Sequence, residues 1–118
     1  MYRYYNANPQ NNFIDDCVIR SISIAEGRTW DEVYEELSML ARRKGLLFSS
    51  AKFVEDYLDE RYDREYPKAK TVGEFVETHP KGVYLITMRG HISVAFYGTV
   101  LDSFDCSNRE IFSVWRVR

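Results

Sequence analysis

Gly82-Val83-Tyr84-Leu85-Ile86-Thr87-Met88, Arg89-Gly90, His91-Ile92-Ser93-Val94-Ala95-Phe96, Tyr97-Gly98 and Thr99-Val100-Leu101-Asp102-Ser103-Phe104-Asp105 follow one another without a break. Each longer run is rich in β-branched and aromatic residues, and each is divided from the next by a short Gly-containing turn. That is the signature of consecutive antiparallel strands joined by tight hairpins. Ile111 to Val117 predicts one further strand after them.

Upstream, the period of the apolar residues changes from two to between three and four. Residues 17–26, from Cys17 to Glu26, are apolar on most sides, as in a buried helix, and Gly27 ends them. Asp15 or Asp16 stands where an N-cap belongs. Thr29 and Glu32 have capping-box spacing ahead of the stripe Trp30, Val33, Tyr34, Leu37 and Leu40, which Gly45 closes after Arg42-Arg43-Lys44. Ser49 or Ser50 precedes a third helix carrying Phe53, Val54, Tyr57 and Leu58. Thr71 precedes a short fourth, stopped before Pro80. Residues 1–14 are polar and Asn-rich and read as an irregular lead-in. Helices first and strands after give an α+β domain, with the N-terminal helices packed on a C-terminal antiparallel sheet of about four strands.

The 118 residues fit one domain, 1–118, and 45% hydrophobic with 15% aromatic residues suffices for a core. The formal charge of -2 argues against a nucleic-acid partner. No stretch approaches the roughly 20 apolar residues of a membrane span, and residues 1–6 lack a signal-peptide core. Two Cys without an export signal predict free thiols and a cytoplasmic protein. With no CxxC and no His-rich tract, neither a metal nor another cofactor is expected. His79 reads as the partner of a helix C-terminus, and Trp30 as core.

Cys17 heads a buried helix, His91 opens a strand, and Asp102 lies on the adjoining one. A thiolate is stabilised by a helix N-terminus and by a neighbouring imidazolium, and a carboxylate behind the imidazole holds its working tautomer. If Tyr97-Gly98 forms the turn, Ser93 faces Asp102, which then shares a face with His91 one diagonal step away, roughly 7–8 Å. A turn at Gly98-Thr99 keeps that parity but moves Asp102 out of reach. A three-residue loop, Tyr97 to Thr99, sets Asp105 opposite His91 instead, which makes Asp105 the alternative third member. Asp15 and Asp16 oppose the helix by raising the thiol pKa.

Asn11-Asn12-Phe13-Ile14-Asp15-Asp16-Cys17 with its apolar helix, His91 on its strand and Asp102-Ser103-Phe104 together resemble the papain-like cysteine peptidases. The likeness is greatest to the small bacterial and phage domains of the bacteriocin-processing type. It implies a papain-like fold and a cysteine peptidase or amidase that cleaves a peptide, isopeptide or related amide through a thioester, on a peptide or protein substrate. It gives Cys17, His91 and Asp102 the catalytic places and Phe104 that of the Trp shielding the third member. An amide about six residues before the Cys would be an oxyanion donor; Gln10, Asn11 and Asn12 stand at neighbouring offsets, of which spacing favours Asn11, and the Cys17 backbone N–H would be the second. Val18 replaces the Gly usual after the nucleophile. The alternative expectation is a non-catalytic papain-like binding module of a phage or mobile element that binds a host factor.

Overall fold

The expected hairpins form the middle of the sheet in the computed structural model, which describes residues 1–12 and 15–118. Strand β3 (Val83–Met88) pairs antiparallel with β4 (His91–Phe96) from Val83↔Phe96 to Met88↔His91, so Arg89-Gly90 is a two-residue turn. Strand β5 (Thr99–Asp102) returns along β4 with Phe96↔Thr99 and Val94↔Leu101. The turn is therefore Tyr97-Gly98, and both residues have positive φ, 49° and 83°. That is the twist a two-residue hairpin requires. It excludes the Gly98-Thr99 and three-residue turns.

The sheet is wider than the sequence pattern suggests. Strand β6 (Ser113–Arg116) lies antiparallel on the other side of β3. Two three-residue edge strands, β1 (Tyr2–Tyr4) and β2 (Asp63–Glu65), complete a six-stranded sheet of order β1-β5-β4-β3-β6-β2 among the described residues. β1 runs parallel to β5, so the sheet is mixed rather than antiparallel and has six strands rather than about four. Nor is the lead-in wholly irregular. Neither edge strand has an apolar alternation to announce it. Their pairing comes from the neighbour's free edge, where Val100 N–H donates to Met1 O and Tyr5 N–H to Asp102 O, both at 2.9 Å. Phe13 and Ile14, assigned to the lead-in and to the stretch before the nucleophile, lie outside the described residues.

The helices are α1 (Cys17–Glu26), α2 (Trp30–Lys44), α3 (Ala51–Arg61) and α4 (Val72–Thr78). Thr29 and Glu32 make the reciprocal capping box of α2, and Ser50 and Thr71 cap α3 and α4. His79 ends α4 with Nδ1 at 2.9 Å from the Phe75 carbonyl oxygen. One expected cap fails. Asp16 occupies the N-cap position of α1, but its side chain makes no capping hydrogen bond.

The alternation of β3 divides the core. Val83 and Leu85 face a cluster with Ile19, Ile22, Leu37, Phe53 and Leu58 from α1–α3. Tyr84, Ile86 and Met88 pack on the other face with Val72, Phe75 and Val76 of α4 and with Cys106. Each such fully buried aliphatic or aromatic side chain contributes roughly 1.5–3 kcal/mol. Helix α1 is also pinned to the sheet by a hydrogen bond, Ser21 Oγ to Ile92 O at 3.0 Å. This fixes the N-terminus of α1 beside the first residues of β4.

Candidate active site

The site lies where three element ends meet. Cys17 is the first residue of α1, His91 the first of β4 and Asp102 the last of β5. The Tyr97-Gly98 turn places Ser93 opposite Asp102, and Ser93 Oγ donates to Asp102 Oδ2 at 2.6 Å. His91 is two residues from Ser93, on the same face, and its Nε2 is 2.7 Å from the same oxygen. The Ser103 backbone N–H donates to Oδ1 at 2.7 Å. The partly buried Cys17 lines the same cleft as His91 and Ile92, and both act to lower its thiol pKa. The imidazole thus stands between a thiol and a buried carboxylate, with the Phe104 ring 4.7 Å from its own. Asp105 is not part of this group: it is exposed, and its carboxylate accepts the Ser107 backbone N–H at 3.0 Å.

The charges reinforce one another. Burial pushes the Cys17 thiol up, but hydrogen bonds to His91 and Ile92 and the positive charges of His91 and Arg20 bring it below its ordinary value. Burial likewise opposes His91 protonation, yet the bonds to Asp102 and Cys17 raise it to about 9. Asp102 stays below the ordinary carboxylate range despite its burial, because His91 and Ser93 both donate to it. Both shifts run toward the thiolate–imidazolium pair. Cys106 behaves oppositely: fully buried, its thiol is pushed up to about 11, by burial first.

Behind this trio lies a group that composition and spacing do not reveal. Asp16 is buried and accepts three hydrogen bonds, from Asn8 Nδ2 at 2.9 Å, Arg20 Nε at 2.8 Å and Trp30 Nε1 at 3.1 Å. This explains the missing cap, since both carboxylate oxygens are engaged elsewhere. Trp30 is accordingly half-buried, with its ring against the core and its N–H on Asp16. Arg20 is itself buried, and its Nη1 reaches Asp102 Oδ1 at 3.6 Å. The only hint in the sequence is an arginine within an otherwise apolar helix.

Asn11, the expected oxyanion donor, is exposed, with φ of 58° and its backbone N–H on Asn8 O at 2.9 Å. The segment folds on itself through the side chains of Asn6 and Asn8, and Asn8, not Asn11, has the buried amide. The cleft beside Cys17 holds about 480 Å³ and is bounded by Cys17 and Val18, by Val54 and Glu55 of α3, and by Met88 and Phe112. His91, Asp102 and Cys106 offer ligand atoms within 4.8 Å of one another, a set that suits zinc. A metal there would have to break the 2.7 Å hydrogen bond between His91 and Asp102.

No protein-family model, no curated protein and no solved structure matches the chain. Among the described residues no helix is long and apolar enough to cross a membrane.

Proposed function

We propose that this chain is a small thiol hydrolase of papain-like kind, cleaving a peptide, isopeptide or related amide bond in a peptide or protein. The observation that carries the reading is the imidazole of His91, held 2.7 Å from a buried carboxylate and sharing one cleft with the Cys17 thiol, whose pKa it lowers. In the proposed cycle the Cys17 thiolate attacks the carbonyl carbon. The backbone N–H of Cys17, at the start of α1, donates to the oxyanion. His91 gives its proton to the departing amine, leaving a thioester on Cys17. Water, losing a proton to His91, adds to that thioester and frees the acid and the thiol. Asp102 holds the ring in place throughout and keeps its own charge. The two free thiols agree with a reducing, cytoplasmic setting.

The first test is selective alkylation. Iodoacetamide at pH 6 should label Cys17 many times faster than Cys106, and His91→Ala should slow Cys17 by roughly tenfold or more. Equal, sluggish labelling of both thiols would remove the enzyme and leave a binding module. Mass spectrometry of a peptide mixture incubated with the wild type and with Cys17→Ala then reads cleavage directly. An added amine separates hydrolysis from acyl transfer.

A further inference from the structure

We propose that Arg20 is a positioning residue for this site: one buried guanidinium ties Asp16, which precedes the nucleophile, to Asp102, which backs the imidazole. The inference rests on the hydrolase reading and adds to it the group that holds α1 and β5 in register.

The geometry is specific. Arg20 is one turn along α1 from Cys17, at i+3, and the residue is only 4% exposed. It donates from Nε to Asp16 Oδ1 at 2.8 Å and brings Nη1 to 3.6 Å from Asp102 Oδ1. A buried charge is retained only when paired, and here one cation is shared by two buried carboxylates. Asp16 is bound in turn by Asn8 and Trp30, and the carbonyl of Asp102 accepts the Tyr5 N–H and the Tyr2 hydroxyl. Both ends of the bridge are thereby anchored in the framework. Moving Arg20 moves the nucleophile helix relative to the carboxylate that orients His91.

The electrostatics point the same way. The acidic side chains around Cys17 and His91 are Asp15 and Asp16 at the start of α1, Glu55 of α3 across the cleft, Asp102 of β5, and Asp105 and Cys106 after it, while Arg109 stands over the Phe104 ring that packs on His91. Arg20 is the only Lys or Arg among the described residues lining the cleft, and its charge helps lower the Cys17 thiol. It offsets the adverse effect of the aspartate before the nucleophile.

The test measures the Cys17 alkylation rate against pH, together with thermal melting, for the wild type, Arg20→Lys, Arg20→Gln and the double variant Asp16→Asn/Arg20→Gln. Arg20→Gln strands two buried carboxylates and is the variant most exposed to misfolding. The lysine variant keeps the charge, and the double variant removes one of the stranded charges. Folded Arg20→Gln should move the alkylation inflection up by about one pH unit, slowing labelling at pH 6 by roughly tenfold. Arg20→Lys should lie between it and the wild type, because an ammonium lacks the fork that spans two carboxylates. The double variant should melt closer to the wild type and still label several-fold more slowly. A purely structural arginine would lower the melting temperature and leave the inflection where it is.

One measurement needs no substitution. The Arg20 Nε nitrogen resonance of the wild type should titrate at the inflection of Cys17 alkylation, and a resonance indifferent to that titration would overturn the proposal. So would folded variants with the wild-type inflection and rate. If wild-type Cys17 itself reacts like an ordinary thiol, the hydrolase reading falls and this inference with it. A fast wild type whose folded Arg20 variants are equally fast sinks this inference alone.

Discussion

His91 links the site to the stability of the fold. Its imidazole is raised to about 9 in the folded chain, against about 6.5 when unfolded. A group that binds its proton more tightly in the native state stabilises that state when protonated. The contribution is therefore complete below about pH 6.5, declines between 6.5 and 9, and is gone above. Cys17 titrates against the same ring, so the clean measurement removes the thiol and keeps Asp102. In a Cys17→Ser background, the melting-temperature advantage of His91 over His91→Gln should shrink steadily from pH 6 to pH 9.5. A difference that stays constant across that window would mean that the bond to Asp102 does not hold the proton. Cys17 and His91 stood out over Cys106 and His79 by position as well as type, one heading an apolar helix and the other opening a strand beside an Asp. Position and type did not single out Arg20, whose importance comes entirely from the two carboxylates it meets at 2.8 and 3.6 Å.

The register of the hairpins is what turns three sequence positions into a site. Tyr97-Gly98 as a two-residue turn fixes Phe96↔Thr99, and from it follow Ser93 opposite Asp102 and His91 on the same face. A slip of one residue would turn Asp102 to the opposite face. Gly98 makes the turn possible in two ways. Its φ is +83°, and a Cβ there would come within 3.2 Å of Pro80 Cα. Gly98→Ala should cost about 1–2 kcal/mol of stability and also slow Cys17 alkylation, as the β4–β5 pairing loosens. A variant that is destabilised yet labels at the wild-type rate would show that the turn serves the fold alone. This register was legible beforehand, because Gly-containing turns between apolar runs leave few pairings to choose from. Strands β1 and β2 were not: Tyr2-Arg3-Tyr4 and Asp63-Arg64-Glu65 become strands only because β5 and β6 present open edges to them. The Asp16 cap was misread for a related reason. Local spacing favours capping, and tertiary partners at Asn8, Arg20 and Trp30 outcompete it.

At the scale of the molecule, the α+β order of elements was readable from the change in apolar period, and the cleft was not. Its walls come from α1, α3, the β3–β4 turn and two aromatic residues of the β5–β6 connection, Phe104 and Phe112. The course of the segment around Asn11 was not legible for the same reason: distance along the chain from Cys17 says nothing of how the side chains of Asn6 and Asn8 turn it. What the assembled cleft adds is a field. Its floor is largely apolar, its solvent-facing charges are Asp15 and Glu55, and Arg20 is turned inward to Asp16 and Asp102. Glu55 is partly offset by Arg64 at 3.2 Å, which Asp59 also engages at 2.9 Å. A cation approaching Cys17 therefore gains roughly 1 kcal/mol over an anion at low salt, or about five- to tenfold in rate, and salt should screen the gain. The measurement compares a trimethylammonium-bearing and a sulfonate-bearing methanethiosulfonate, each rate divided by its rate with a small free thiol. The cationic reagent should modify Cys17 faster at 10 mM salt (a Debye length of about 30 Å), with the ratio approaching one at 1 M (about 3 Å). Asp15→Asn combined with Glu55→Gln should abolish the preference, each rate being referred to that variant's own rate with uncharged iodoacetamide. A ratio near one in dilute buffer would mean that the imidazolium and Arg20 cancel the rim, and that the cleft selects its ligand by apolar contact alone.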